Sequence, residues 1–255
     1  MLTDVHAHYD DKRYDADRDE VIQAVKKSGV ALVINSGSDI ITSKTSVELA
    51  EKYDFIYASV GVHPHESGKT PADTLDILAD LLRNKKVAAV GEIGLDFFHD
   101  FSDREAQRLW FKKQMDFAAD VGYPVVVHDR DAHGESLETV KKYRGQVKGV
   151  FHCYAGSVEM AKELLKLGYM MSFGGVCTFA NAKICRDVLK EIPVEYILLE
   201  TDCPYLAPHP HRGERNDSRY LPLIAEKISE IKNITVEQLI LKTGENARRC
   251  FNLKT

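Results

Sequence analysis

Residues 3–10 read TDVHAHYD. With Leu2 in front, the segment has the apolar–polar alternation of a short strand, and residues two apart on a strand point to the same face. His6 and His8 therefore leave the first strand on one side, although His8 lies near enough to its end for strict alternation to lapse. A bare His-x-His pair is a weak signal, because a solvated strand edge carries one just as readily. Partners elsewhere in the chain decide its meaning.

Short runs rich in Val, Ile and Tyr recur from end to end, at residues 2–6, 31–35, 56–60, 88–92, 125–128, 149–152, 169–173 and 196–200. Between them lie helix-period segments at 18–27, 39–53, 71–82, 104–121, 135–143, 158–167, 182–191 and 221–232. Pro71 stands where a missing N–H costs nothing, and Gly29, Gly122 and Gly168 stand where a left-handed residue ends a helix. A last helix is predicted over 236–250, opened by Thr235 with Gln238 three residues on, the pattern of a capping box. Eight βα units in 255 residues predict an α/β fold, a (β/α)8 TIM barrel with an extra C-terminal helix, as one domain over 1–255. An open doubly wound sheet is the alternative, but no G-x-G-x-x-G turn follows the first strand and no Walker A sequence occurs.

A formal net charge of −5 argues against coating long nucleic acid with a broad basic face, and leaves room for a locally basic pocket. The five cysteines are odd in number and form no C-x-x-C pair, as expected of reduced thiols in the cytoplasm. Met1-Leu2-Thr3 lacks the features of a signal peptide, and no apolar run approaches the roughly 18 residues of a membrane span. A soluble cytoplasmic protein with no membrane association and no obligate protein partner is the expectation.

In a barrel the active site gathers at the carboxyl ends of the strands. His6 and His8 end the first; His63 and His65 follow the third; Glu92, His128 and His152 end the fourth, fifth and sixth; Asp202 follows the eighth. One strand-end His is ordinarily just a hydrogen-bonded polar residue. Four imidazoles with a Glu and an Asp are the donor set of a divalent-metal site, and they exceed what one ion needs. Two ions are predicted, with Glu92 bridging them. His6, His8 and Asp202 complete one site, since the first and eighth strands adjoin once the barrel closes, and His128 and His152 complete the other.

Together TDVHAHYD, GVHPHE, GEIGLDFF, PVVVHDRDA, HCYAGS and ETDCPYLAPHPHRGERN resemble the TatD family of metal-dependent deoxyribonucleases, within the amidohydrolase-like superfamily, from about residue 2 to about residue 250. The resemblance implies a distorted barrel, a dinuclear site, and hydrolysis of DNA phosphodiesters from 3′ ends of single strands. Carried over by position, the family's metal ligands fall on His6, His8, Glu92, His128, His152 and Asp202, the set already reached from the strand ends. Glu92 and Asp202 are the catalytic candidates, with Asp202 orienting the attacking water and taking its proton. Nitrogen-rich sites favour Zn or Mn and the family commonly works with Mg, so Mg, Mn and Zn are all candidates.

His63, His65, Arg130, Arg212 and Asn216 are candidate substrate contacts, the histidines having a stiff turn around Pro64 as their plainer use. Arg215 and Arg219 read as surface charges, Glu200 as a strand-terminal residue, and His99 as a loop residue. Phe97, Phe98, Tyr154, Phe179 and Tyr205 are available for stacking bases, although core packing uses the same residues. Where the family pattern expects a Pro soon after Asn216, this chain has Asp217-Ser218 in a loop expected to face substrate. Two other classes stay open: an amidohydrolase-like enzyme acting on small esters, amides or acylated nucleic-acid ends, and a metal-binding protein without catalysis.

Overall fold

The computed structural model describes residues 1–253; the expected domain extends to residue 255, so its last two residues lie outside the described ones. Eight parallel strands form one sheet in chain order: β1 Leu2–Ala7, β2 Val30–Ser36, β3 Ile56–Val60, β4 Val87–Asp96, β5 Val125–Arg130, β6 Gly149–Phe151, β7 Met170–Phe173 and β8 Ile197–Leu199. The helices are α1 Arg18–Lys27, α2 Ile40–Lys52, α3 Thr74–Leu81, α4 Arg104–Val121, α5 His133–Lys141, α6 Val158–Lys166, α7 Lys183–Glu191, α8 Leu221–Lys232 and α9 Val236–Cys250. This is the expected (β/α)8 barrel, and its closure is irregular. No ladder joins β8 to β1. The seam is made just beyond them, by a bridge between Ala7 and Cys203, with Asp202 N donating to His6 O (2.9 Å) and His8 N to Cys203 O (2.8 Å).

Two apolar layers hold the barrel. The larger packs the helices against the outside of the sheet. The smaller fills the interior with inward-facing strand residues, among them Val5, Ile34, Ala89, Val126, Val150 and Leu198. α9 closes its floor: Ala247, Cys250 and Phe251 belong to the same inner cluster, and Asn246 donates to the carbonyls of Val194 and Ile197 where β8 begins. The predicted capping box is present, Gln238 N donating to Thr235 Oγ1 and Thr235 N to the Gln238 side chain.

β4 departs most from expectation. It does not end at Glu92 but runs on to Asp96, and between Val90 and Ile93 its pairing with β5 slips: Val90 faces Val125 while Ile93 faces Val127. The extra residue bows the strand, as bulges do, and re-aims the side chain at the bend. Two glycines permit it. A Cβ on Gly91 would lie 2.6 Å from Val126 Cβ, and one on Gly94, at φ +142°, would lie 1.9 Å from the His128 carbonyl oxygen. Elsewhere α3 starts at Thr74, because Pro71 leads into a turn in which Thr74 N donates to the Pro71 carbonyl rather than into the first helical turn. Among the described residues no helix is long and apolar enough to cross a membrane.

Candidate metal centre

The re-aimed Glu92 carboxylate stands at the centre of the rim, 3 % exposed, with five imidazoles around it. Its two oxygens face opposite ways. Oε2 is 3.3 Å from His6 Nε2 and 3.6 Å from His8 Nε2; Oε1 is 2.9 Å from His128 Nδ1, 2.8 Å from His152 Nε2 and 3.4 Å from His63 Nε2. Asp202 completes the first group, its Oδ1 lying 3.7 Å from His6 Nε2 and 3.5 Å from His8 Nε2. The chain reaches this point by a sharp exit from β8, with Asp202 at φ 55°, a conformation that Asp tolerates better than most residues.

Fixed neighbours orient several of the rings. His8 Nδ1 is 2.9 Å from the Ser36 carbonyl, which can only accept, so Nδ1 carries a hydrogen and Nε2 is the nitrogen turned to the centre. His128 is turned the other way: Nε2 donates to Asp96 Oδ2 (3.1 Å), leaving Nδ1 as the inward donor. His6 Nδ1 has Ser36 Oγ at 3.2 Å. Among the described residues His152 Nδ1 has no hydrogen-bond partner, and neither has the fully buried Glu200 Oε1, 3.9 Å away. His/Asp/Glu donor atoms within 4.8 Å of one another form the groups His6–His8–Glu92, His6–His152–Asp202 and His63–Glu92–His128. Imidazole nitrogens turned inward around a shared carboxylate fit divalent cations.

The charges are strongly coupled. Burial works against the Glu92 carboxylate, but His152, His63 and His6 outweigh it and hold its pKa well below the ordinary value. Burial likewise disfavours charge on His8 and His128, yet the Asp202 hydrogen bond with the Glu92 and Asp10 charges pushes His8 up to about 10, and Asp96 with Glu92 pushes His128 up to about 9. His6 and His63 lose that contest: burial lowers them to about 4 and about 3. Burial raises Glu200 to about 8, with His152 pulling the other way.

The six residues expected as ligands, His6, His8, Glu92, His128, His152 and Asp202, are thus brought together. The other candidates divide. His63 does not sit as a surface imidazole: it is 8 % exposed, and its ring faces Glu92. His65 stands one step out, its Nε2 at 2.8 Å from Asp96 Oδ2. Arg130 and Arg212 lie on the rings of Phe98 and Phe179, at 4.5 and 4.6 Å. Arg215 is tied to Asp17 and Arg219 to Asp217, each through two hydrogen bonds to the carboxylate.

Asn216, expected to touch substrate, is fully buried, its amide donating to the carbonyls of Thr201 and Tyr205; it braces the loop from beneath. The Asp217-Ser218 pair, expected to face substrate, also turns inward. Ser218 donates to the buried Asp4, which also receives hydrogen bonds from Thr201, so the pair ties this loop to β1.

Asp96 escaped the sequence reading, and Glu200 was read only as a strand-terminal residue. Asp96 is fully buried and receives His65, His99 (2.9 Å) and His128 on one oxygen. Its signal was the alternation continuing through Ile93 and Leu95, which makes Asp96 the true end of β4. Glu200 lies behind His152, with its other oxygen accepting from Ser172 (2.5 Å). A cavity of about 800 Å³ adjoins the centre, lined by His128, Arg130, His152, Tyr154, Lys183 and Asp202.

A barrel of this kind, with imidazoles and carboxylates converging at its strand ends, is the architecture of a metal-dependent hydrolase. The chain belongs to the family described as TatD related DNase, whose model matches residues 3–252. It is 42 % identical over 255 residues, 99 % of this chain and 100 % of the relative, to an uncharacterized metal-dependent hydrolase, YabD, of Bacillus subtilis (strain 168). It is 31 % identical over 259 residues, 99 % and 100 % of the two chains, to the 3′-5′ ssDNA/RNA exonuclease TatD of Erwinia tasmaniensis. Among solved structures, YJJV, a TatD homologue from Escherichia coli K12, superposes with a TM-score of 0.93 at 28 % identity, covering 99 % of this chain and 98 % of that one.

Proposed function

We propose that the protein is a cytoplasmic nuclease that removes nucleotides from single-stranded DNA ends, using two divalent ions held by His6, His8, Glu92 and Asp202 on one side and Glu92, His128 and His152 on the other. The observation that carries this reading is Glu92, whose two oxygens face two separate histidine pairs. When bound, such ions supply Lewis acidity toward a phosphate oxygen and make water a usable nucleophile near neutral pH. The chain's own residues do the rest. Glu92 keeps the two groups of ligands in one frame. Asp202, partly exposed at the edge of the centre, orients the attacking water and accepts its proton. His63, held neutral by burial, donates a hydrogen bond to a phosphate oxygen rather than a charge. His65, Arg130 and Arg212 line the approach. The name of the Erwinia relative and the five free cysteines support the substrate and the compartment.

End-labelled single-stranded DNA and RNA, incubated with the protein in EDTA, Mg or Mn beside Glu92→Ala, test the proposal. Stepwise, EDTA-sensitive shortening that the variant lacks is the expected result. No nucleotide release with any metal would overturn it and favour hydrolysis of small esters or amides.

A further inference from the structure

Three aromatic side chains are exposed among the described residues: Phe98 (58 %), Phe101 (68 %) and Tyr205 (40 %). All three lie at the rim that carries the metal centre. Tyr205 is occupied, its ring under Arg13 at 4.4 Å and its hydroxyl on Asp11. Phe101 carries no cation on its ring among the described residues and Phe98 carries Arg130 on one side only; both lie in the loop that leaves β4. Their neighbour Phe97 packs against the core, so the loop is anchored without them.

Their surroundings are polar and continuous with the centre. The Phe101 ring stands edge-on to His65 at 4.8 Å, and Phe98 edge-on to His99 at 4.8 Å. His65 and His99 bond the same Asp96 oxygen that receives His128, so the histidines beside the two rings are joined by hydrogen bonds to a residue of the centre. Arg130 covers one side of Phe98 and has no carboxylate partner among the described residues. The combination suits a flat heteroaromatic ring joined to a phosphate. Aromatic faces stack on any base, and an unpaired guanidinium forks onto phosphate oxygens. Bases in a duplex already stack on each other and do not offer their faces, so such a surface selects unpaired strands.

We propose that Phe98 and Phe101 form a stacking platform for an unpaired nucleobase of the substrate strand, with Arg130 on a neighbouring phosphate. The proposal rests on the nuclease reading and locates what makes the site prefer single strands.

The test uses the metal-loaded full chain and 5′-labelled oligo(dT), with Phe98→Ala/Phe101→Ala and, as rescue, Phe98→Tyr/Phe101→Tyr. The alanine pair is expected to raise KM about tenfold, the lower end of base–aromatic stacking, with kcat within about twofold, and the tyrosine pair to restore it. An oligonucleotide whose 3′-terminal residues are abasic should cost the parent protein a similar factor and the alanine pair nothing further. An active alanine pair with the parent's KM overturns the platform and leaves the nuclease reading intact. Failure of the parent to shorten oligo(dT) overturns the nuclease reading, and the platform falls with it.

Discussion

The histidines on and just past β1 and those within β5 and following β6 surround one carboxylate, but they are held from behind in different ways. His6 and His8 lean on uncharged oxygens, the hydroxyl and carbonyl of Ser36. His128 leans on the Asp96 carboxylate, and His152 backs toward Glu200. The negative charge is therefore placed differently in the two halves. On the β1 side the second carboxylate, Asp202, faces the inward nitrogens of His6 and His8; on the β5–β6 side Asp96 stands behind His128. A carboxylate behind an imidazole fixes its tautomer and raises its basicity, so the β5–β6 half gains strength through its histidines and the β1 half through direct charge.

The largest break in this comparison comes from Glu92, the one residue common to both halves. Glu92→Ala is expected to lose both ions, measured by metal analysis after desalting, and at least about 10³-fold in activity. Retention of both ions by that variant would refute the bridging arrangement.

Asp202→Asn strikes one half only. The β5–β6 group keeps its donors, while activity falls by about 10²-fold through loss of the base and of a ligand charge; metal titration should then show one affinity weakened and the other kept. Asp96→Asn sharpens the contrast from the other side, since losing a carboxylate behind a ligating His costs about 10–100-fold in metal affinity. Its effect should fall on the β5–β6 half, and an equal loss in both halves would contradict the division.

A pH measurement tests both halves at once. Before loading, His8 is pushed up to about 10 and His128 to about 9, so both are protonated at pH 7.5 and each must lose its proton to become a ligand. Loading should then release at least one proton from each half, His152 being pushed up as well. Above pH 9 the His128 proton is already gone, so the number released falls and affinity rises. Calorimetry in buffers of different ionisation enthalpy reads this directly, and no release at pH 7.5 would contradict it. The smallest effect is expected for Ser36→Ala, which removes only the hydroxyl beside His6 and leaves the carbonyl that holds His8; metal affinity should change by less than about tenfold.

The residues gathered around Glu92 were legible in the sequence because each stands on, or just after, an apolar run, and the barrel brings such positions to one rim. The groups behind them were not, because they depend on how one strand slides past another. A bulge at Gly91-Glu92 moves the true end of β4 four residues on, which hides Asp96 inside what reads as a loop. Direction is equally invisible: His63, Glu200, Asn216 and Ser218 all sit at exposed-looking positions of the sequence, and all four side chains turn inward once the loops fold back over the seam.

The seam between β1 and the exit of β8 also has a consequence in time. His6 and His8 are synthesised almost two hundred residues before Asp202 and Cys203, which close the barrel beside them. At about 5–20 residues per second that is a delay of roughly 10–40 s. Through this interval the nascent chain carries its histidines on an open sheet, without the Asp202 carboxylate and without the floor that α9 supplies. A chain cut short before Asp202 is therefore built without the closed centre.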